Sequence, residues 1–526
     1  MKRKGLVISS LAIVSFVVFL CIIGYVYKND ENNDKNNDKN NEVTVGTYDM
    51  GDFVFEENGV EITSPIKGAI GIPKEDNSPV VFILHGSHRI DGDVRQPYAE
   101  GFEYLVEHLA NQGYLAISIN VNRAYMFEPV EGNELERSMI IFEENYRRVK
   151  EAIEGEKLYP YSLKGKGDLT KINLIGHSRG GENIFNIIES NKFNNIAFVS
   201  AISVAPSQNN GFHDTYTDIP TAVVIPQFDT DVSTQDGVNY FNYAYFNDQA
   251  RRSPIQYAYY LNADHNPFNS NVDQKGLFSY DDVTYVTEEE QRSFLKEYCV
   301  DFLNVYNKEA DFNDVFINAS EDRYGNSFIP AYYFSEKNGK KLIRPSASMK
   351  DVISDGVEFN YMQAAVIPSE DSSGAFNLPG TYSPVPLYKM AWTEKKGKVS
   401  IEIPIGFHNF YDYNGISFLI GLDSTDDRNG EDVETAIDIK LIDFAGGEET
   451  IRISSKTERA LQFIQGEVND YGDGFKKYNH YTPLGSFILS YDLLKEIKAK
   501  DGIEKIEISP ASDTGSIVIG GIDFYQ

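Results

Sequence analysis

The segment Gly176-His177-Ser178-Arg179-Gly180 contains the serine whose surroundings most clearly indicate chemistry. It follows the apolar run 172–175 and precedes a helix-forming stretch at 184–188. Glycines on both sides of a serine permit a sharp turn from strand to helix that leaves the hydroxyl above a sheet. A serine hydroxyl attacks a carbonyl only when a base takes its proton and an acid orients that base. We therefore predict that Ser178 is a nucleophile.

An acid and a histidine follow Ser178 in the order that this arrangement requires. Asp229 and Asp231 come just after the apolar run 221–226, and His265 follows the run 256–261. Side chains after the carboxyl ends of parallel strands meet at one edge of the sheet. We predict Asp229 as the acid because it is nearer the strand end and has Val232 three residues on. Asp231 is the alternative acid, and His265 is the predicted general base.

Catalysis by such a serine also needs two backbone N–H groups that bind the negative oxygen of the intermediate. One comes from the residue after the nucleophile, Arg179. The other should come from a loop after an early strand, and His85-Gly86-Ser87 follows the apolar run 80–84. Gly86 lets the backbone approach closely. We predict Ser87 as the second donor and expect His85 to shape the loop.

Other polar residues receive plainer interpretations. We expect Glu182 to anchor a neighbouring loop and His213 to be a surface histidine. Asp423, Asp426 and Asp427 resemble a calcium-binding loop, but they lack a fixed ligand spacing. We therefore predict no metal site and no cofactor.

The elements around these residues alternate between strand and helix from 43 to 308. Continuous apolar runs are typical of strands buried on both faces of a parallel sheet, and helical patterns at 101–112 and 134–154 separate them. This region predicts a doubly wound, mostly parallel α/β sheet. From 346 to 526 short alternating strands with Asn, Gly and Asp turns predict an antiparallel β-sandwich, of the jelly-roll kind. The stretch 309–345 fits either a linker or the start of the β-domain.

The first 28 residues read as a targeting segment. Lys2, Arg3 and Lys4 precede an uncharged, mostly apolar run at 5–27, and a helix that spans a bilayer takes about 20 residues. Basic residues on the N-terminal side predict a cytoplasmic N-terminus and an exported body. We predict a retained anchor at 1–28 with the catalytic domain outside the cell. The alternative is a cleaved signal peptide and a secreted protein.

Composition adds three further expectations. The Asn-, Asp- and Lys-rich run 29–42 predicts a disordered spacer. The net charge of −31 excludes nucleic acid as a partner because its phosphates would be repelled. The two cysteines are Cys21, within the predicted anchor, and Cys299, so the body cannot form an internal disulfide.

The ordered motifs at 43–308 resemble bacterial α/β-hydrolases of the dienelactone hydrolase, cutinase and platelet-activating-factor acetylhydrolase group. The resemblance covers about half of the chain, and the motifs that carry it are His85-Gly86-Ser87, Gly176-His177-Ser178-Arg179-Gly180-Gly181, Asp229-x-x-Val232 and Ala263-Asp264-His265-Asn266. It implies a Ser178, His265 and Asp229 triad that hydrolyses carboxylic esters through an acyl-enzyme, without metal or organic cofactor. Some members of the group act on polyesters or esterified polysaccharides. Arg179 stands where many relatives have Met or Gln.

The C-terminal half resembles the galactose-binding and carbohydrate-binding jelly rolls that are attached to exported enzymes, in segments such as 416–423 and 515–524. Together the two resemblances imply a membrane-anchored extracellular serine esterase. The short connection between 205 and 221 leaves no room for a large cap domain, so bulky or polymer-linked esters are expected substrates. The alternatives are a serine peptidase of the same fold and a non-catalytic cell-surface protein that binds glycans.

Overall fold

The computed structural model describes residues 43–526, except for 127, 130–131, 209–216, 248–250, 274–275, 277–282, 318–320, 325–326, 336–338, 349–351, 365–368, 372–384, 405–412, 425, 465–466, 471–475, 480–482 and 491–501. The predicted anchor and spacer at 1–42 therefore lie outside the described residues, as does His213. Within the described ranges, no helix is both long and apolar enough to cross a membrane.

A mixed nine-stranded sheet, in the order β1-β2-β4-β3-β5-β6-β7-β8-β9, forms the first part of the fold. Strands β3 to β8 run parallel to one another, whereas β1, β2 and β9 pair antiparallel with their neighbours. The predicted alternation of strand and helix is confirmed. The strands are β1 (Thr44–Glu57), β2 (Val60–Ile72), β3 (Ser78–Leu84), β4 (Leu115–Ile119), β5 (Gly167–His177), β6 (Phe198–Val204), β7 (Thr221–Pro226), β8 (Ile255–Tyr260) and β9 (Phe328–Tyr333).

Helices cover both faces of this sheet. Alternate residues of β3 divide between two cores, with Phe82 in one and Ile83 in the other. The Phe82 core includes α2, α3 and α4, and the Ile83 core includes α1 and α5. The helices are α1 (Glu103–Asn111), α2 (Glu134–Glu154), α3 (Arg179–Glu189), α4 (Gly237–Asn242), α5 (Glu288–Asn307) and the single turn α6 (Glu321–Tyr324).

Antiparallel sheets make up the second part of the fold. A six-stranded sheet has the order β12-β14-β23-β16-β21 with β10 paired to β23, a five-stranded sheet has the order β11-β15-β22-β17-β18, and β13-β20-β19 form a small third sheet. The two larger sheets bury one shared core, to which Phe418 and Ile439 belong. Their strands are β10 (Gly339–Ile343), β11 (Val352–Asp355), β12 (Glu358–Ala364), β13 (Ser369–Asp371), β14 (Val385–Trp392), β15 (Lys398–Glu402), β16 (Gly415–Leu422), β17 (Ala436–Asp443), β18 (Glu448–Ser454), β19 (Glu467–Asp470), β20 (Lys476–Asn479), β21 (Gly485–Ser490), β22 (Ile503–Pro510) and β23 (Gly515–Tyr525).

The stretch 309–345 contributes one strand to each part. Strand β9 extends the nine-stranded sheet beside β8, and β10 pairs with β23 of the six-stranded sheet. Direct hydrogen bonds join the parts: Tyr245 Oη donates to Asp523 Oδ2 over 2.9 Å, and the backbone N–H of Tyr332 donates to Ser486 Oγ over 2.9 Å. The antiparallel strands therefore pack directly against the α/β sheet.

Candidate active site

Ser178 is the single residue between β5 and α3. Its φ of 56° and ψ of −125° lie in a region that residues with a Cβ rarely occupy. The turn is held from both sides, because the N–H of Ser178 donates to Val204 O and its carbonyl accepts from Gly181 N, each over 2.8 Å. Ser178 therefore occupies a strained strand-to-helix turn at the carboxyl end of a parallel strand.

The glycines on either side of Ser178 are required by packing. A Cβ on Gly176 would overlap the carbonyl of Gly180, and a Cβ on Gly180 would overlap the carbonyl of Leu84 at the end of β3. The helix can therefore approach the two central strands only when both positions lack side chains. The spacing of the motif follows from this close approach.

His265 and Asp229 form a buried pair. His265 Nδ1 lies 2.9 Å from the Asp229 carboxylate, and their side chains are 0% and 2% exposed. Burial opposes protonation of His265, but the nearby charge and hydrogen bond of Asp229 outweigh burial and raise the pKa of His265 to about 8. The second ring nitrogen, Nε2, is buried and has no hydrogen-bond partner among the described residues, Ser178 included. In serine hydrolases without substrate, the hydrogen bond between the serine and its base is often long, and it shortens only when substrate binds.

His177 connects the serine turn to the His265 loop. Its Nε2 lies 3.0 Å from the carbonyl oxygen of His265, and the two ring centroids are 4.8 Å apart. A carbonyl only accepts, so Nε2 of His177 carries the proton and donates. Burial, together with the charges of His265 and His88, holds the pKa of His177 well below its usual value, so this ring is neutral. Sequence reasoning missed this contact because the middle positions of the motif carry no residue signal.

Two carboxylates hold the acid and base loops together. Asp229 Oδ1 accepts from the N–H of Asp231 over 3.0 Å and from that of Val232 over 2.6 Å. Asp264 Oδ1 accepts from the N–H of His265 over 2.6 Å, and also from the N–H and hydroxyl of Thr230 over 2.9 and 2.7 Å. The role of Asp264 was missed from sequence, although its position directly before His265 was visible.

Asp231, the alternative acid, lies on the other side of the imidazole. Its Oδ2 is 3.7 Å from His265 Nε2, and 28% of its side chain is exposed. Asp229 contacts Nδ1 instead. The two acids therefore face different nitrogens of the same ring.

The His85-Gly86-Ser87 loop passes directly against Ser178. A Cβ on Gly86 would lie 2.6 Å from Ser178 Cβ and 3.2 Å from Ser178 Oγ. His85 Nδ1 donates to Gly86 O over 2.7 Å, and its Nε2 accepts from the N–H of Val121 over 2.9 Å. Burial lowers the pKa of His85 to about 4, so the ring is neutral and shapes the loop, as expected. Ser87 follows as a half-buried residue.

Arg179 begins α3, where backbone N–H groups have no partner within the helix. Its guanidinium pairs with Glu134 at the start of α2, where Arg179 Nη1 lies 2.7 Å from Glu134 Oε2. Burial raises the pKa of Glu134, although Arg179 and Asn183 oppose that effect. Three residues after Arg179 in the helix, the buried carboxylate of Glu182 accepts from Ser207 Oγ over 3.1 Å and so anchors the loop after β6.

Two of the three acids that resemble a calcium-binding loop, Asp423 and Asp426, form ion pairs with basic side chains. Lys389 Nζ lies 2.8 Å from Asp423 Oδ2 and 2.7 Å from Asp426 Oδ2, and the guanidinium of Arg428 donates two hydrogen bonds to Asp426. In the part of the chain that the structure describes, no group of three His, Cys, Asp or Glu side chains could hold a metal ion.

Comparison with known proteins identified no matching family model and no matching curated protein.

Proposed function

We propose that this protein is a serine hydrolase of the α/β-hydrolase type, with a doubly wound sheet, that hydrolyses carboxylic esters. The observation that carries the proposal is the strained turn at Ser178, joined through the His177 hydrogen bond to the loop that holds the buried His265 and Asp229 pair. A nucleophile at a strand-to-helix turn, beside an imidazole oriented by a carboxylate, is the arrangement that acyl transfer requires.

In the proposed reaction Ser178 Oγ attacks the ester carbonyl carbon while its proton passes to His265 Nε2. Backbone N–H groups of Arg179 and Ser87 bind the resulting oxyanion. Collapse breaks the bond to the alcohol, which leaves with the proton from His265 and gives an acyl-enzyme. Water then attacks the acyl carbonyl carbon and loses a proton to His265. The bond from that carbon to Ser178 Oγ breaks, His265 returns the proton to Oγ, and the carboxylic acid leaves. Asp229 stays ionised and holds the imidazole in position.

The low exposure of Ser178 restricts how a large substrate can bind. At 4% exposure the serine lies at the base of the site, whereas the side chain of Asp231 is 28% exposed and that of Arg179 is 29% exposed. A polymer-linked ester would have to present its acyl group on a protruding side group. The proposal therefore favours small acyl groups attached to a larger carrier.

The proposal extends to the rest of the chain. The two antiparallel sheets that share a core support a jelly-roll domain of the galactose-binding kind. The apolar run 5–27 supports anchorage in the cell membrane with the catalytic domain outside, and a cleaved signal with secretion is the alternative.

The test uses full-length protein in detergent, treated with a fluorophosphonate probe and with short p-nitrophenyl esters. Labelling and ester turnover are expected in the wild type and in Ser348→Ala, an exposed serine remote in sequence from the site, but not in Ser178→Ala. Labelling with cleavage of peptide amides, and without ester turnover, would favour the serine peptidase. Absence of labelling in the wild type would contradict the enzyme and leave the glycan-binding alternative.

A further inference from the structure

Asp231 occupies a position that the triad chemistry does not use. Its Oδ2 lies 3.7 Å from His265 Nε2, the nitrogen that exchanges protons with substrate in the proposed reaction. Its side chain is 28% exposed, compared with 2% for Asp229 and 0% for His265. The carboxylate of Asp231 therefore borders the space in which the leaving alcohol must receive its proton.

The position of Asp231 is fixed by its neighbours. Its N–H donates to Asp229 Oδ1 over 3.0 Å, and the preceding residue, Thr230, is held by Asp264 through two hydrogen bonds. The same Asp264 oxygen accepts from the N–H of His265. The backbones of Asp231 and His265 therefore belong to one hydrogen-bonded unit, which limits how far their two side chains can separate.

Charges of both signs surround the carboxylate of Asp231. Asp229 and Asp264 lie on the loops that carry Asp231 and His265, and burial, with Asp229 adding to it, raises the pKa of Asp231. His265 lowers this pKa more than Asp229 raises it, and Arg179, which pairs with Glu134 at 2.7 Å, lowers it further, but burial outweighs both. A ligand that brings a hydrogen-bond donor or a positive charge to Asp231 would be stabilised here, and an anion would be repelled.

The distances limit where that donor sits on the substrate. The leaving oxygen must lie about 3 Å from His265 Nε2 to take its proton. Asp231 Oδ2 is 3.7 Å from the same nitrogen. A hydrogen-bond donor on the carbon next to the one that bears the leaving oxygen can therefore reach the carboxylate of Asp231. A neighbouring hydroxyl, as in a sugar or another polyol, fits this requirement.

We propose that Asp231 determines specificity for the leaving alcohol and selects esters of polyols, in which a hydroxyl neighbours the ester oxygen. The inference rests on the proposed serine esterase function and names the substrate class of that site. Asp231 acts by binding the alcohol and takes no part in bond making or breaking.

The test compares two matched pairs of acetate esters with full-length protein in detergent. 2-Hydroxyethyl acetate and propyl acetate differ only by a hydroxyl in place of a methyl group, and acetylcholine and 3,3-dimethylbutyl acetate differ only by charge. Wild-type protein is expected to favour the first member of each pair in kcat/KM by about tenfold, the order expected for hydrogen bonds and contacts to a charged group. Asp231→Asn should reduce the charge ratio to within about threefold of unity and lower the hydroxyl ratio, because its amide oxygen still accepts a hydrogen bond but carries no charge.

Asp76→Asn is the matched control, because this carboxylate is 68% exposed and precedes β3 at the opposite edge of the sheet. It should keep both ratios of the wild type. A general structural effect of Asp231→Asn would change both members of a pair equally and leave the ratios intact. If Asp231→Asn does not fold, Asp231→Glu serves instead and should keep the charge ratio while lowering the hydroxyl ratio.

Fluorophosphonate labelling of the same preparations separates the two proposals. Labelling of Ser178 with unchanged ratios in Asp231→Asn, or a wild type that does not favour the hydroxyl ester, would overturn the role of Asp231 alone. A wild type without labelling would overturn the proposed function and this inference with it.

Discussion

The side chain of His177 donates from Nε2 to the carbonyl oxygen of His265 over 3.0 Å, so the residue before the candidate nucleophile holds the loop of the candidate base. The first residue lies at the end of β5 and the second follows β8, and 88 positions separate them in the sequence. This contact ties the turn that carries Ser178 to the loop that carries His265.

Replacement of His177 tests that relationship. His177→Phe keeps a ring of similar size but leaves a buried carbonyl without its donor, which costs about 1–3 kcal/mol. We expect a lower melting temperature and a fall of about tenfold or more in the rate of fluorophosphonate labelling, since misplacement of catalytic groups is costly. His177→Gln can still donate and should recover part of both losses. Equal labelling rates in the wild type and His177→Phe would show that the contact does not position the base.

The pH dependence of turnover should follow His265. The base accepts a proton only when neutral, and Asp229 raises its pKa to about 8 against the opposing effect of burial. Ester kcat/KM should therefore increase with pH and reach half of its maximum near pH 8. Asp231 also raises this pKa, so Asp231→Asn should move the midpoint to lower pH. A midpoint that stays in place or moves upward would argue against the observed placement of Asp231.

Replacement of Asp229 distinguishes the two acids. Asp229→Asn retains the shape but can donate to Nδ1 and so favours the wrong tautomer, which lowers kcat on the order of 10⁴-fold in serine triads. Asp231→Asn should cost far less in kcat, because Asp231 contacts Nε2 and not Nδ1. Steady-state turnover of one p-nitrophenyl ester by both variants is sufficient. A larger loss of kcat in Asp231→Asn than in Asp229→Asn would show that Asp231, and not Asp229, is the acid of the triad.

The packing at Gly176 predicts a large effect on stability. Gly176→Ala places a Cβ against the carbonyl of Gly180 and should lower the free energy of unfolding by about 3 kcal/mol. Gly430→Ala is the control, because its added Cβ would meet its nearest neighbour at 3.6 Å. Chemical denaturation measures both variants. Similar unfolding midpoints for the two would contradict the close approach of α3 to β5.

Much of the fold could be predicted because local pattern and tertiary burial agree. Helix α2 occupies Glu134–Glu154 as predicted, with Asn133 capping its first turn. Strand β5 begins at Gly167, whereas the apolar pattern placed its start at 172. The pattern missed the residues before 172 because most of them are polar or partly exposed. Strand β9 gave no clear signal, since it is an edge strand whose pairing with β8 depends on a distant part of the chain.

The site could be predicted only as far as strand ends could place it. Ser178, Asp229 and His265 each follow one of the parallel strands, so the sequence could predict that they lie close together. The hydrogen bonds of His177 and Asp264 were not, because they depend on how separate loops pack. The position of Asp231 at the second nitrogen of His265 also required the loop geometry.

The central claim is that Ser178 is a nucleophile activated by His265. The most direct measurement is peptide mass spectrometry of full-length protein after reaction with a fluorophosphonate, at pH values on both sides of 8. The account predicts one adduct per chain, on Ser178, formed faster at the higher pH and abolished in His265→Ala. An unmodified Ser178, or a modification rate that is unaffected by His265→Ala, would contradict it.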